Sequence, residues 1–162
     1  MSEMINRTKY FSVFLAILFL LGCSSAENLS GDLQIEMTKH YIDSWLNLMP
    51  GTSPGTFHLT GDFTLKNNGT VEVDSVNLIK ITTYADSQEI YTFKPVFRLK
   101  SGEVNYSLRP GDAKEFTFGT GQGLRINDLL MKYKRIDIKL ELNTNRGEQY
   151  YKINNIEVVR AY

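Results

Sequence analysis

The side chains able to do acid–base, nucleophilic or metal chemistry are few and scattered along this chain. Its 162 residues include one cysteine, Cys23, and two histidines, His40 and His58. A lone cysteine permits neither an intramolecular disulfide nor a cysteine-based zinc site. Two histidines outside any His-Glu-x-x-His pattern give no metal-ligand spacing. Gly119-Thr120-Gly121-Gln122-Gly123 has the glycine density of a phosphate-cradling loop. A P-loop ends in Gly-Lys-Ser/Thr, however, and Gly123 is followed by Leu124-Arg125. The dinucleotide version also needs a βαβ unit, and helices do not alternate with strands in this chain. No Gly-x-Ser-x-Gly elbow marks a hydrolase serine. The expectation is a chain with no catalytic residues, no metal and no cofactor, in which 119–123 is a link between strands.

Cys23 acquires a role from what precedes it. Arg7 and Lys9 form a short basic segment, and Phe11 to Leu21 is an apolar run. At about 11 residues the run is too short to span a bilayer, which takes about 20. It leads into Leu20-Leu21-Gly22-Cys23, which resembles the lipobox of bacterial lipoproteins. The resemblance implies cleavage after Gly22, acylation of Cys23 by palmitate-like chains, and attachment to a membrane through that lipid. Each buried CH₂ contributes about 0.8 kcal/mol, and more than one chain anchors stably where a single one does not. Ser24, where an Asp would favour inner-membrane retention, implies the outer membrane of a cell envelope. Residues 1–22 are thus read as a signal peptide, 23–31 as the lipidated cysteine and a small, polar, flexible tether, and 32–162 as one domain.

Removing 1–22 leaves 140 residues, enough for one domain with its own core. It also takes Arg7 and Lys9 from 18 basic side chains and Glu3 from 18 acidic ones, leaving 16 and 17, a net charge of −1. Without a basic face to displace phosphate counterions, no nucleic-acid partner is expected.

The domain reads as a series of short strands. Leu33, Ile35, Met37, Tyr41 and Trp45 mostly alternate, although Leu33, Met37, Tyr41 and Trp45 also fit a helical spacing; the segment is read as a strand. Phe57, Leu59, Phe63 and Leu65 share one face of the next, which ends at Asn67-Asn68-Gly69. Val73 to Tyr84, Ile90 to Phe93, Val96 to Leu99, Val104 to Leu108, and Phe116 with Phe118 follow. Ile136 to Leu142 then alternates cleanly, and Asn143 to Gly147 turns into Tyr151, Ile153, Ile156 and Val158. A short helix is expected within Leu124 to Tyr133. Turn signals every 8–12 residues predict an all-β fold, an antiparallel β-sandwich of about 7–9 strands with that one helix.

Phe63-Thr64-Leu65-Lys66-Asn67-Asn68-Gly69, Tyr84-Ala85-Asp86, and Leu108-Arg109-Pro110-Gly111-Asp112 with Phe116 resemble the immunoglobulin-like modules of bacterial envelope proteins, in particular the FxLYD type. The resemblance covers 63–118 and implies an immunoglobulin-like sandwich with a non-catalytic, adhesive or assembly role. The segment 87–107 is longer than such modules lead one to expect.

The chain has nine Tyr, nine Phe and one Trp. Exposed aromatics suit binding surfaces, because they offer large apolar area at low entropy cost together with a polar handle. Tyr150 and Tyr151 are adjacent on an expected strand and must face opposite ways. They are the candidate partner-binding residues, and a final strand at a sheet edge would add its backbone to that surface. The function expected is a lipid-anchored, non-catalytic interaction or assembly module with a protein partner in the envelope. The alternative is a small-ligand or glycan-binding lipoprotein using an aromatic surface or cleft.

Overall fold

The computed structural model describes residues 34–51 and 55–162. The signal segment, Gly22, Cys23 and the tether lie outside the described residues.

The described chain is all-β: nine strands and one five-residue helix. They are β1 (Ile35–Asn47), β2 (Thr56–Asn67), β3 (Val76–Ala85), β4 (Gln88–Phe93), β5 (Val96–Leu99), β6 (Ala113–Gly119), β7 (Leu124–Arg125), α1 (Asp128–Lys132), β8 (Arg135–Thr144) and β9 (Gly147–Ala161). Their order is β4-β3-β8-β9-β1-β2-β6-β5, with β7 pairing β2. All ladders are antiparallel except one. β1 and β9 run parallel through Ser44–Asn47 and Val158–Ala161, and this short ladder joins a β4-β3-β8-β9 half to a β1-β2-β6-β5 half.

The strands form one sheet, and chain connectivity makes it curl. β4 and β5 are the two ends of the strand order, yet only Lys94 and Pro95 separate them. Three Cα steps span about 11 Å at most, so the ends must meet. Side chains register that approach. The rings of Phe57 on β2 and Tyr91 on β4 stack with centroids 5.4 Å apart. The Tyr91 hydroxyl donates to the Arg125 carbonyl at 2.6 Å and accepts from the Asn127 amide at 2.8 Å. Pro95, buried at the bend, has no amide to leave unpaired there.

One core fills the curl. Phe57, Leu59, Phe63 and Leu65 from β2 and Phe116 and Phe118 from β6 join Leu78 and Ile81 from β3 and Ile136, Ile138, Leu140 and Leu142 from β8. Phe63, Phe97, Tyr106 and Phe116 make an aromatic cluster with neighbouring centroids 5.1 to 6.2 Å apart.

Buried Asn67 ties the end of β2 to two turns. Its Nδ2 donates to the carbonyls of Val71 (2.8 Å) and Leu108 (3.0 Å), and its Oδ1 accepts from the Gly69 amide (3.0 Å). Its backbone pairs with Gly111 and Asp112. Asn67-Asn68-Gly69 and Pro110-Gly111-Asp112, separate in sequence, are therefore one hydrogen-bonded unit.

Two elements depart from expectation. The helix is confined to Asp128–Lys132, because Asn127 caps it by accepting the Leu129 amide and Leu124–Arg125 is taken up as a strand against β2. Val104 to Leu108 forms no strand beyond a single bridge of Leu108 to Val73. Asn105 instead closes a local turn, its Oδ1 accepting the Ser107 amide, and Val104 points into solvent. β9 is paired by β8 along Gly147–Glu157 and by β1 only through Val158–Ala161, so among the described residues its Gly147–Glu157 stretch has no ladder on the second side.

Candidate functional site

Tyr150 and Tyr151 are adjacent on β9 and face opposite ways, with different fates. Tyr151 turns inward against the core, and its hydroxyl donates to the Ile35 carbonyl of β1 at 2.6 Å. Burial, then the nearby Glu36 carboxylate, pushes its pKa up to about 12. It is a structural clasp between β9 and β1 where their backbone ladder has ended.

Tyr150 turns outward and is 50% exposed. Its hydroxyl donates to the Glu148 carboxylate, and that bond above all pushes its pKa up to about 12. The Lys139 ammonium sits 4.2 Å from the ring centroid, a cation–π distance. Tyr150 lies opposite Glu141, which Lys80 pairs at 2.8 Å. The ring is thus exposed and already fixed in orientation by its neighbours.

A second surface lies on the outer face of the other half. Registers place Tyr41, Asp62, Thr117 and Arg98 in one row across β1, β2, β6 and β5, and Asp43, Thr60, Gly119 and Val96 in the next. These positions alternate with the core residues Leu46, Phe63 and Phe116, so they face away from the core. Together they line a cleft of about 440 Å³. Tyr41 is 60% exposed; its pKa is raised, first by its hydrogen bond with the Asp43 carboxylate. Asp62 has Lys100 at 3.9 Å. The Arg98 side chain makes no hydrogen bond or ion pair with any described residue. Gly119 keeps the floor low, since a Cβ there would lie 3.2 Å from Thr60 Cγ2.

Further along the same face, Trp45 and His58 stack with centroids 4.9 Å apart and planes 8° from parallel. His58 Nε2 is 2.9 Å from Thr56 Oγ1. Gly123, at φ +89°, passes so close that a Cβ would meet the imidazole at 2.7 Å. His58 is thus held between a tryptophan and a glycine turn. Among the described residues, no three His, Cys, Asp or Glu side chains gather where they could share a metal ion. The glycine segment after β6 is a turn into β7, with Gly121 and Gly123 at positive φ.

Tyr41 and its row were not singled out by sequence. Tyr41 shares an alternation with Met37, which packs on the core, and so looks buried. One signal was available: Gly61, an isolated glycine in an apolar strand, marks a close approach. A Cβ there would lie 2.6 Å from Ile42 Cδ1, so Ile42 occupies the inner face and Tyr41 the outer. Compared with family models and with curated proteins, the chain matches none of either.

Proposed function

We propose that this chain is a lipid-anchored, non-catalytic interaction module of the cell envelope, an immunoglobulin-like sandwich made from one curled sheet and carried on acylated Cys23 at the outer membrane. The observation that supports a protein partner best is the fixed, half-exposed ring of Tyr150. Ordering side chains on binding is one of the main costs of association. A ring already oriented by Glu148 and Lys139 avoids much of that cost. Aromatic residues so placed are typical anchors of protein interfaces. The assigned roles are lipidation for Cys23, signal cleavage for Gly22, partner contact for Tyr150, and support of the same strand for Tyr151.

In-cell crosslinking of the full chain tests this reading. Tyr150→Ser should remove a specific crosslinked protein band while the circular dichroism spectrum stays that of the parent. An anchor residue contributes about 2 kcal/mol or more, roughly a thirtyfold loss of affinity. Retention of every band by Tyr150→Ser would refute the assigned surface. Cys23→Ala should abolish palmitate labelling, and equal labelling would refute the anchor.

A further inference from the structure

We propose that the cleft lined by Tyr41, Asp43, Thr60, Asp62, Arg98 and Thr117 is a binding site for a neutral saccharide chain. It is separate from the Tyr150 surface and does not depend on that reading.

The side-chain inventory selects the ligand. A saccharide ring has an apolar C–H face and a rim of hydroxyls, each both donor and acceptor. The cleft offers a counterpart to each. Tyr41 provides an exposed ring, with its hydroxyl engaged by Asp43. Asp43 and Asp62 are acceptors for ligand hydroxyls, Thr60 and Thr117 both donate and accept, and Arg98 supplies a planar fork of donors. The Arg98 guanidinium makes no hydrogen bond or ion pair with a described residue, which leaves its donors for a ligand.

Charge narrows the class further. A polyanionic chain would run along Asp43 and Asp62, and a polycationic one would meet Arg98, with Lys100 beside Asp62. A ligand without net charge meets neither repulsion and can use the donors and acceptors of both signs along the row. Size agrees as well. Four adjacent strands spaced about 4.8 Å apart give a row of about 14 Å, longer than one sugar ring. Gly119 leaves the floor open.

Trp45 is the only tryptophan of the chain and lies two residues beyond Asp43 on the same face, so its fluorescence reports on this surface. Full-length lipidated protein, in micelles of a detergent without a sugar headgroup, would be titrated with neutral oligomers of glucose, mannose and N-acetylglucosamine. Galacturonate and glucosamine oligomers would serve as charged counterparts. At least one neutral series should change Trp45 fluorescence saturably. Tyr41→Ala and Arg98→Ala should each weaken that binding roughly tenfold or more, Tyr41→Phe should retain most of it, and Tyr150→Ser should leave it unchanged. Circular dichroism confirms folding of each variant; if Tyr41→Ala does not fold, Arg98→Ala alone decides. The proposal is overturned if no neutral series binds, if a charged series binds more tightly, or if every folded cleft variant binds as the parent does.

Discussion

At the scale of single residues, the two neighbouring tyrosines show how one residue pair divides structure from recognition. Tyr151 is held protonated by burial, with its pKa raised from 10.0 to about 12. An acid whose pKa is raised on folding binds its proton more tightly in the native state. Between those values the unfolded chain releases the proton first, so stability is intact below pH 10 and falls as pH rises toward 12. Tyr151→Phe should flatten that part of the stability–pH curve, measured by urea unfolding at a series of alkaline pH values. The same variant should cost about 1 kcal/mol at neutral pH, because the Ile35 carbonyl loses its partner. That the pair faces two ways was legible from strand alternation alone. Which ring faces out was not, because β9 changes phase at Asn155: buried Ile153 shares the alternation of Tyr151, whereas buried Ile156 and Val158 share that of Tyr150.

At the scale of elements, most strands were legible because their inner faces are runs of apolar residues two apart, as in Ile136 to Leu142. Alternation breaks where a bulge inserts a residue and flips every later side chain to the other face. Lys39 is such a point: at φ +43° it sits between the pairs Thr38–Thr64 and His40–Phe63. Ile35 and Met37 pack inward before it, and Ile42 and Leu46 after it, so Tyr41 and Trp45 come out onto the surface. The pairing of β3 with β8 slips between Leu78 and Lys80. β9 changes phase at Asn155, at φ +66°, where Asp137 Oδ1 accepts the Asn155 amide and Asn155 Oδ1 accepts from Arg135. Nothing in a hydropathy pattern marks Lys39, which is why the cleft was hidden. The β3–β4 hairpin yields a direct test. Its two loop residues, Asp86 and Ser87, both have positive φ, +47° and +64°, the geometry of a type I′ turn that favours Asp-Gly. A left-handed non-glycine residue costs about 1–2 kcal/mol, and glycine returns part of that as backbone entropy. Ser87→Gly should therefore stabilise the protein by about 0.5–1 kcal/mol, seen as a higher urea midpoint with an unchanged slope.

At the scale of the whole molecule, turn spacing announced an all-β domain, but it could not announce a single curled sheet. That closure comes from two facts: the parallel ladder between the first and last strands, and the two-residue passage through Pro95 that brings the strand order's ends together. The ladder joins residues far apart in sequence, and the short passage closes the sheet only because long-range pairing leaves β4 and β5 at its ends, so local patterning does not encode the closure. The two surfaces consequently sit on different halves of the curl, with Tyr150 on the outer face of one and the Tyr41 cleft on the outer face of the other.

The parallel run of β1 and β9 also has a mechanical meaning. The backbone ladder between the two strands is confined to their C-terminal ends, Ser44–Asn47 against Val158–Ala161, and the strands run parallel, so the chain enters β1 and leaves β9 at opposite poles of the domain. A pull applied across those points slides the strands past each other and loads the ladder's bonds together. A pull at the β8–β9 hairpin tip peels its pairs apart one after another. In single-molecule force measurements, the domain held at Gln34 and Ala161 should therefore rupture at a higher force than when held at Gln34 and Asn145, and equal forces would rule out a shear-loaded clasp. A domain fixed at one pole and drawn from the other would resist tension through four residues on each of two strands.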